Sequence, residues 1–362
     1  MTPIDHPRTT RAAILVEQNA PLVVDEIDLP EQLYAGQVLV HVHYSGICGS
    51  QLGEIDGVKG PDPHLPHLLG HEAGASVVAV GPGVLRVAPG DHVVVHWRKA
   101  GGIEAAPPGY RWRGHRLNAG WATTFNEYAV VSENRLTPIP ADFDLGLAAL
   151  FGCPVTTGLG VVGNDAQLRI GESVVVLGTG GVGLSVILGA AMVSAWPIVA
   201  CDRFDNRLEL ARRVGATHVL RAGDGDLVEQ VREIVGPAGA DLVVEHTGDV
   251  AMIRAAWQLT QPQGRTLLVG VPQRGQEASI DTLPLHFGKV LTGSHGGASR
   301  PDVEIPRYVK LHRAGRLDLA ALVTDRFPLE DVNRAIAGMR DGTVAGRCLL
   351  EIAPPRRGAG AA

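Results

Sequence analysis

Cysteine is scarce in this chain, with four scattered residues in 362. That scatter excludes a disulfide-stapled fold and points to a reducing compartment, so a cytoplasmic location is expected. Long apolar runs are missing too. The glycine- and alanine-rich stretch from Val182 to Ala195 is too short to span a bilayer. The N-terminal "MTPIDHPRTTRAAILVEQ" has no apolar core of signal-peptide length. No membrane partner is expected. Basic charge is not in excess, since the formal net charge is −6. Nothing therefore draws the chain to nucleic acid or an anionic surface. The basic pair Arg356 and Arg357 near the C-terminus is too short to change this, and no internal repeat is seen.

The composition is that of a globular protein with many tight turns: 45% hydrophobic, 19% charged, 46 glycines and 24 prolines. The length suggests two domains, each able to bury a core. The first third reads as short strands, among them "RAAILVEQ", "PLVVDEID", "QVLVHVHYSG", "AGASVVAVGPGV" and "GDHVVVHW". Residues 98–120, "RKAGGIEAAPPGYRWRGHRLNAG", read as one long polar loop. From about residue 155, Val- and Leu-rich runs such as "ESVVVLG", "PIVACD", "ADLVVEHTG" and "RTLLVGV" alternate with helical stretches. That alternation predicts an α/β fold with a doubly wound parallel sheet. Helical patterns resume after residue 295, a strand "RCLLEI" follows, and the tail "APPRRGAGAA" reads as disordered.

"VVVLGTGGVGLSVILGAA" sets Gly178, Gly180 and Gly183 in G-x-G-x-x-G spacing between a predicted strand and an apolar helix. The first glycine permits the tight turn, the second lets backbone approach a pyrophosphate, and the third lets helix pack on strand. Gly181 and Val182 then open the helix N-terminus towards the phosphates. The next strand ends at Asp202, whose carboxylate can accept ribose hydroxyls and repel a 2′-phosphate, favouring NAD over NADP. Arg203 directly after it pulls the other way. A glycine-rich turn with no ligand is the alternative, and strand, glycines, helix and acid together weigh against it.

Cys48 lies in the glycine-flanked turn "GICGS". Taken alone it reads as a small buried apolar residue. His71 in "LLGHEAG" and Cys153 in "LFGCPVTTG" give it another reading. Two thiolates and an imidazole suit zinc, and three protein ligands with a fourth position open mark a catalytic rather than a structural site. Spacing alone does not bring the three together.

The ordered set "GICGS", "GHE…GPGV…PGD", "GC…TTG" and "GTGGVG" resembles the zinc-dependent alcohol dehydrogenases of the medium-chain dehydrogenase/reductase superfamily. The resemblance runs from about residue 11 to 352, and "GSHGGASRPDVEIPRYV" and "LVTDRFPLEDVNRAIAGMRDGTVAGR" look most like the class III branch. It implies a GroES-like β-rich catalytic domain in residues 1–154 and 296–362, with an NAD-binding Rossmann domain in 155–295. It also implies Cys48, His71 and Cys153 as zinc ligands and Glu72 as an acid near the metal. Ser50 takes the place of the hydroxyl that receives the alcohol proton, and Trp97 that of a substrate-pocket aromatic. Arg207 and Arg347 match basic residues contacting the NAD ribose and pyrophosphate. Val269, Gly270 and Val271, with Thr247 and His295, fall in the segments beside the cofactor. A homodimer or homotetramer is implied as well.

Three departures stand out. The four clustered cysteines of the family's structural zinc lobe are absent, so one zinc per chain is expected. The proton-relay histidine, five residues after the first zinc cysteine, is replaced by Gly53. Ala75 stands where a glycine normally follows the Gly-His-Glu turn, a local variation of little consequence. Cys201 and Cys348 read as core residues, and His41, His43, His64 and His67 as surface or satisfied polar groups. The function expected is hydride transfer between an alcohol, or its aldehyde or ketone, and NAD. A polyol, cyclitol or amino-sugar dehydrogenase stays open, although Cys153 weighs against it because such relatives often carry an acidic third ligand. A biosynthetic carbonyl reductase stays open because the relay histidine is missing. A catalytically silent NAD-binding protein is disfavoured by the intact ligands and Ser50.

Overall fold

A computed structural model describes residues 7–353. The expected disorder of the tail after Ala353, with Arg356 and Arg357, lies outside the described residues.

The second half is built on Val174–Leu177, four fully buried aliphatic residues that can only sit in a central strand. It pairs in parallel with Ile198–Asp202 on one side and Ala240–Glu245 on the other. His218–Arg221, Thr260–Leu268 and Val290–Gly293 complete a six-stranded sheet. Counted along the chain, the spatial order is third, second, first, fourth, fifth, sixth. The order reverses between the first and fourth strands, so a crevice opens there at their carboxyl ends. Register places Leu177 opposite both Cys201 and Glu245. Gly178, Asp202 and His246 therefore emerge side by side.

In the first half, the strand Gln37–Gly46 is paired antiparallel with Ala73–Val80 and Tyr128–Ser132. The C-terminal strand Arg347–Glu351 returns to the same sheet, with Leu349 opposite Gly46. That return delivers Arg347 to the end of the Gln37–Gly46 strand, where the helix Gly49–Ile55 begins. Among the described residues no single helix is long and apolar enough to cross a membrane.

Two sequence expectations are corrected here. The 98–120 segment is not wholly loop, because Tyr110–Trp112 and His115–Leu117 form a hairpin that joins Val23–Asp28 through Asp28 and Arg111. Three-residue strands are too short to show a period. Side chains hold the lobe: Tyr110 is buried, and Trp112 Nε1 and Arg113 both donate to Asp25 at 2.9 Å. The "GICGS" segment, read as a turn, is the start of a helix for which Cys48 is the N-cap residue. Cys201 and Cys348 are buried, and burial pushes both thiols up to about 12. His43 is satisfied by the Ala353 carbonyl at 2.6 Å and by Ser76 at 3.0 Å, and His41 stacks on Tyr128.

Candidate active site

Three separate backbone devices bring the sulfurs and the imidazole together. Cys48 ends the extended chain and caps the helix Gly49–Ile55. His71 and Glu72 follow Gly70, whose φ of +89° a residue with a side chain rarely adopts. Cys153 sits at a 50° bend between the apolar helices Leu145–Gly152 and Pro154–Asp165, where Pro154 starts the second helix.

The ligand atoms of Cys48, His71, Glu72 and Cys153 all lie within 4.8 Å of one another. The two sulfurs are 3.9 Å apart, too far for a disulfide. Two sulfurs on a tetrahedral zinc, each at about 2.3 Å, stand about 3.8 Å apart. His71 Nε2 is buried without a partner, as is Glu72 Oε2. Two converging thiols and an orphaned imidazole nitrogen fit a zinc ion. The hydrogen bond from Cys153, then His71 and Arg347, hold the Cys48 thiol well below its usual range against the opposing effect of burial. The same sharing, with burial, pushes Cys153 up. Burial works against a charged His71, yet the Cys48 sulfur raises it on balance.

Gln51 is a member of this site that the sequence reading missed. It is 1% exposed, its Oε1 accepts the Cys48 N–H at 2.8 Å, and its Nε2 reaches His71 Nδ1 at 2.6 Å. One side chain thus fixes the backbone of one ligand and the ring of another. Its place three residues after the cap was the available signal.

Arg347, expected at a pyrophosphate, is 3% exposed and donates from Nη2 to Glu72 Oε1, while its unpartnered Nε lies against the glycine turn at Gly181. The return of its strand beside Gly46 forces this, since Arg347 lies between Glu72 and the backbone of Gly181. Burial raises the Glu72 carboxyl, and Arg347 opposes the rise.

In the crevice, a Cβ on Gly183 would overlap the carbonyl oxygen of Gly178, so only glycine lets helix and turn close. Gly180 caps the helix Gly181–Met192, with Val182 buried behind it. The place of a Cβ on Gly180 is free except for the His246 ring, 3.6 Å away. That is room for a pyrophosphate against helix N–H groups. Asp202 is less free than the sequence suggests. Its Oδ2 accepts from the Thr179 N–H at 2.8 Å and Oγ1 at 2.9 Å, and its Oδ1 accepts from the Phe204 N–H. Arg203 and Arg207 both stack on Phe204, and Arg207 donates to the Met339 carbonyl. Thr247 and Gly248 are held by the buried Glu245 carboxylate, whose backbone carbonyl also accepts from Val269 and Gly270. Val271 is exposed.

Ser50 is exposed on the first turn of its helix. Trp97 donates its backbone N–H to the Gly152 carbonyl, beside Cys153, and meets His295 edge-on at 5.0 Å. Arg98 donates to His295 Nδ1 at 2.6 Å.

Comparison with known proteins meets this geometry. Residues 34–141 match an alcohol dehydrogenase GroES-like domain and residues 181–311 a zinc-binding dehydrogenase domain. The S-(hydroxymethyl)glutathione dehydrogenase of Haemophilus influenzae is 33% identical over 92% of this chain and 95% of its own. The chain belongs to the zinc-dependent alcohol dehydrogenases. As a member, it is an oxidoreductase of the alcohol–carbonyl type that works with zinc and NAD(P). The S-(hydroxymethyl)glutathione dehydrogenase of Synechocystis is also 33% identical, over 92% of this chain and 97% of its own. Among solved structures, an alcohol dehydrogenase zinc-binding domain protein from Burkholderia ambifaria superposes with a TM-score of 0.87 at 30% identity, covering 95% of this chain and 99% of that one. Benzyl alcohol dehydrogenase from Acinetobacter calcoaceticus superposes at 0.86 and 28%, covering 96% and 100%.

Proposed function

We propose that this alcohol dehydrogenase holds one zinc, at Cys48, His71 and Cys153, and uses NAD as its hydride partner. The buried thiol–imidazole cluster with an orphaned His71 Nε2 carries this reading. Zinc bound there would supply Lewis-acid polarisation of a substrate oxygen. The three ligands leave a fourth position open to substrate. Glu72, tied to Arg347, keeps one oxygen facing the cluster as a reserve donor. Ser50 accepts the substrate hydroxyl proton. Trp97 forms the wall that orients the reacting carbon and excludes water, with His295 braced against it. Gly178, Gly180, Gly181, Val182 and Gly183 cradle the pyrophosphate, and the Asp202 charge disfavours a 2′-phosphate. Thr247, Val269, Gly270 and Val271 border the nicotinamide end, while Arg203 and Arg207 flank the adenosine end.

The single zinc is supported by residues 98–120, which have no cysteine and are tied down by Tyr110, Trp112 and Arg113 instead. The sheet edge Val290–Gly293, with Phe287 and Val290 exposed, favours a homodimer or homotetramer. The scattered thiols favour a cytoplasmic location. The alcohol substrates of the two relatives, S-(hydroxymethyl)glutathione and benzyl alcohol, are the first compounds to try. In steady-state assays with these and short primary alcohols, NAD-linked turnover is expected to exceed NADP-linked turnover at least tenfold. Equal rates with both cofactors would contradict the NAD assignment, and no turnover with any alcohol would contradict the oxidation itself.

A further inference from the structure

The helix Gly49–Ile55 carries a carboxylate that the proposed chemistry does not use. Glu54 is half-buried, and no hydrogen bond or ion pair among the described residues engages its carboxylate. It lines a solvent-open cavity of about 250 Å³, together with Gln18, Gly53, Lys59 and Asp62. Gly53 leaves one wall of that cavity bare, since a Cβ there would meet only Val58, at 3.7 Å. This is the position from which the family's relay histidine is missing. Glu54 follows Ser50 by four residues on the same helix, so the two side chains share a face with Cβ atoms about 5–6 Å apart. One water spans such a gap.

We propose that Glu54 is the exit for the substrate proton, receiving it from Ser50 and releasing it to water in the cavity. The proposal rests on the alcohol dehydrogenase reading and on the place of Ser50 in it. For each alcohol oxidised, the substrate O–H bond breaks and its proton moves to Ser50 Oγ while the proton of Ser50 passes to Glu54. The C–H electron pair leaves as hydride to the nicotinamide. Glu54 then loses the proton to cavity water and is a carboxylate again. The groups that act on it are Lys59, which favours its ionised form, Asp62, which opposes it, and the imidazoles of His71 and His67. Burial is the largest influence and raises the carboxyl, which makes it a better proton acceptor than an exposed one. Arg274 reaches the rim at Gly60, and Asp56 at the helix end is already paired with Arg340.

The test is Glu54→Gln in the zinc- and NAD-loaded enzyme. Alcohol oxidation at pH 7 should fall at least tenfold, with zinc content unchanged and NAD affinity within twofold. Added formate or imidazole, small enough for the cavity, should restore at least fivefold of the loss. Gly53→His in the Glu54→Gln background should restore activity as well. Asp56→Asn, on the same helix end, should leave the rate unchanged. A Glu54→Gln enzyme whose rate and pH profile match the parent would overturn the proposal. A loss that neither formate, imidazole nor the introduced histidine repairs would also overturn it, since that is the signature of a structural role. A parent enzyme that oxidises no alcohol removes the underlying reading and the proton exit together, whereas an active parent with an unaffected variant removes only the exit.

Discussion

Replacing Arg347 with methionine should reveal what the buried ion pair does. Glu72 is 0% exposed and Arg347 3% exposed, so water does not screen the pair. In Arg347→Met the carboxylate has no cation beside it, and its remaining option in a dry site is to take up a proton. Protonating at pH 7 a group of ordinary pKa 4.5 means two and a half units at 1.36 kcal/mol each, about 3.4 kcal/mol. That is the low end of the roughly 3–5 kcal/mol seen when one partner of a buried pair is removed. The sign with pH follows. A carboxyl whose folded pKa is raised binds more protons folded than unfolded, so the variant regains stability as pH falls towards 4.5. At pH 5 the proton term is only about 0.7 kcal/mol. Urea unfolding of parent and variant at pH 7 and pH 5 reads both values. The double variant Glu72→Gln/Arg347→Met has no charge to bury and should lose this pH dependence. A loss under 1 kcal/mol at pH 7, or one of equal size at both pH values, would mean that Arg347 does not hold Glu72 ionised.

Three further outcomes are expected. Gly183→Ala forces a Cβ into the Gly178 carbonyl and should cost about 1–3 kcal/mol of stability and at least tenfold in NADH affinity, read by fluorescence titration. Gln51→Ala frees the His71 ring and the Cys48 N–H, so zinc affinity in competition with a chelator should fall about 10–100-fold. His96 is buried, and burial lowers it from 6.5 to about 4, so protons favour the unfolded chain as pH drops through that window. The parent should lose about 3 kcal/mol between pH 6.5 and 4 from this group, and His96→Gln should lack that part of the slope.

The nucleotide half was legible because its signals are local. "VVVL" before Gly178, and an apolar helix after Gly180, specify strand, turn and helix within twenty residues. The metal cluster was legible only through the ordered motifs, since Cys48 and Cys153 are 105 residues apart and meet through a helix cap and a bend. The ion pair of Arg347 with Glu72 was not legible, because the two lie 275 residues apart and only strand pairing next to Gly46 brings them together. Glu54 carries no motif, and Gln51 only its place three residues after the cap. Their importance comes from which helix face turns to His71 and which to the cavity, a fact of tertiary packing. The short strands after residue 109 were missed because three residues cannot display an alternation.

The proposed chemistry depends on one zinc site at Cys48, His71 and Cys153. Zinc per chain, measured by mass spectrometry on protein purified without added metal and on Cys48→Ala beside it, decides whether that site exists. One zinc in the parent and little in the variant is the predicted result. A parent without zinc, or a variant that keeps its full complement, would mean that Cys48 holds no metal.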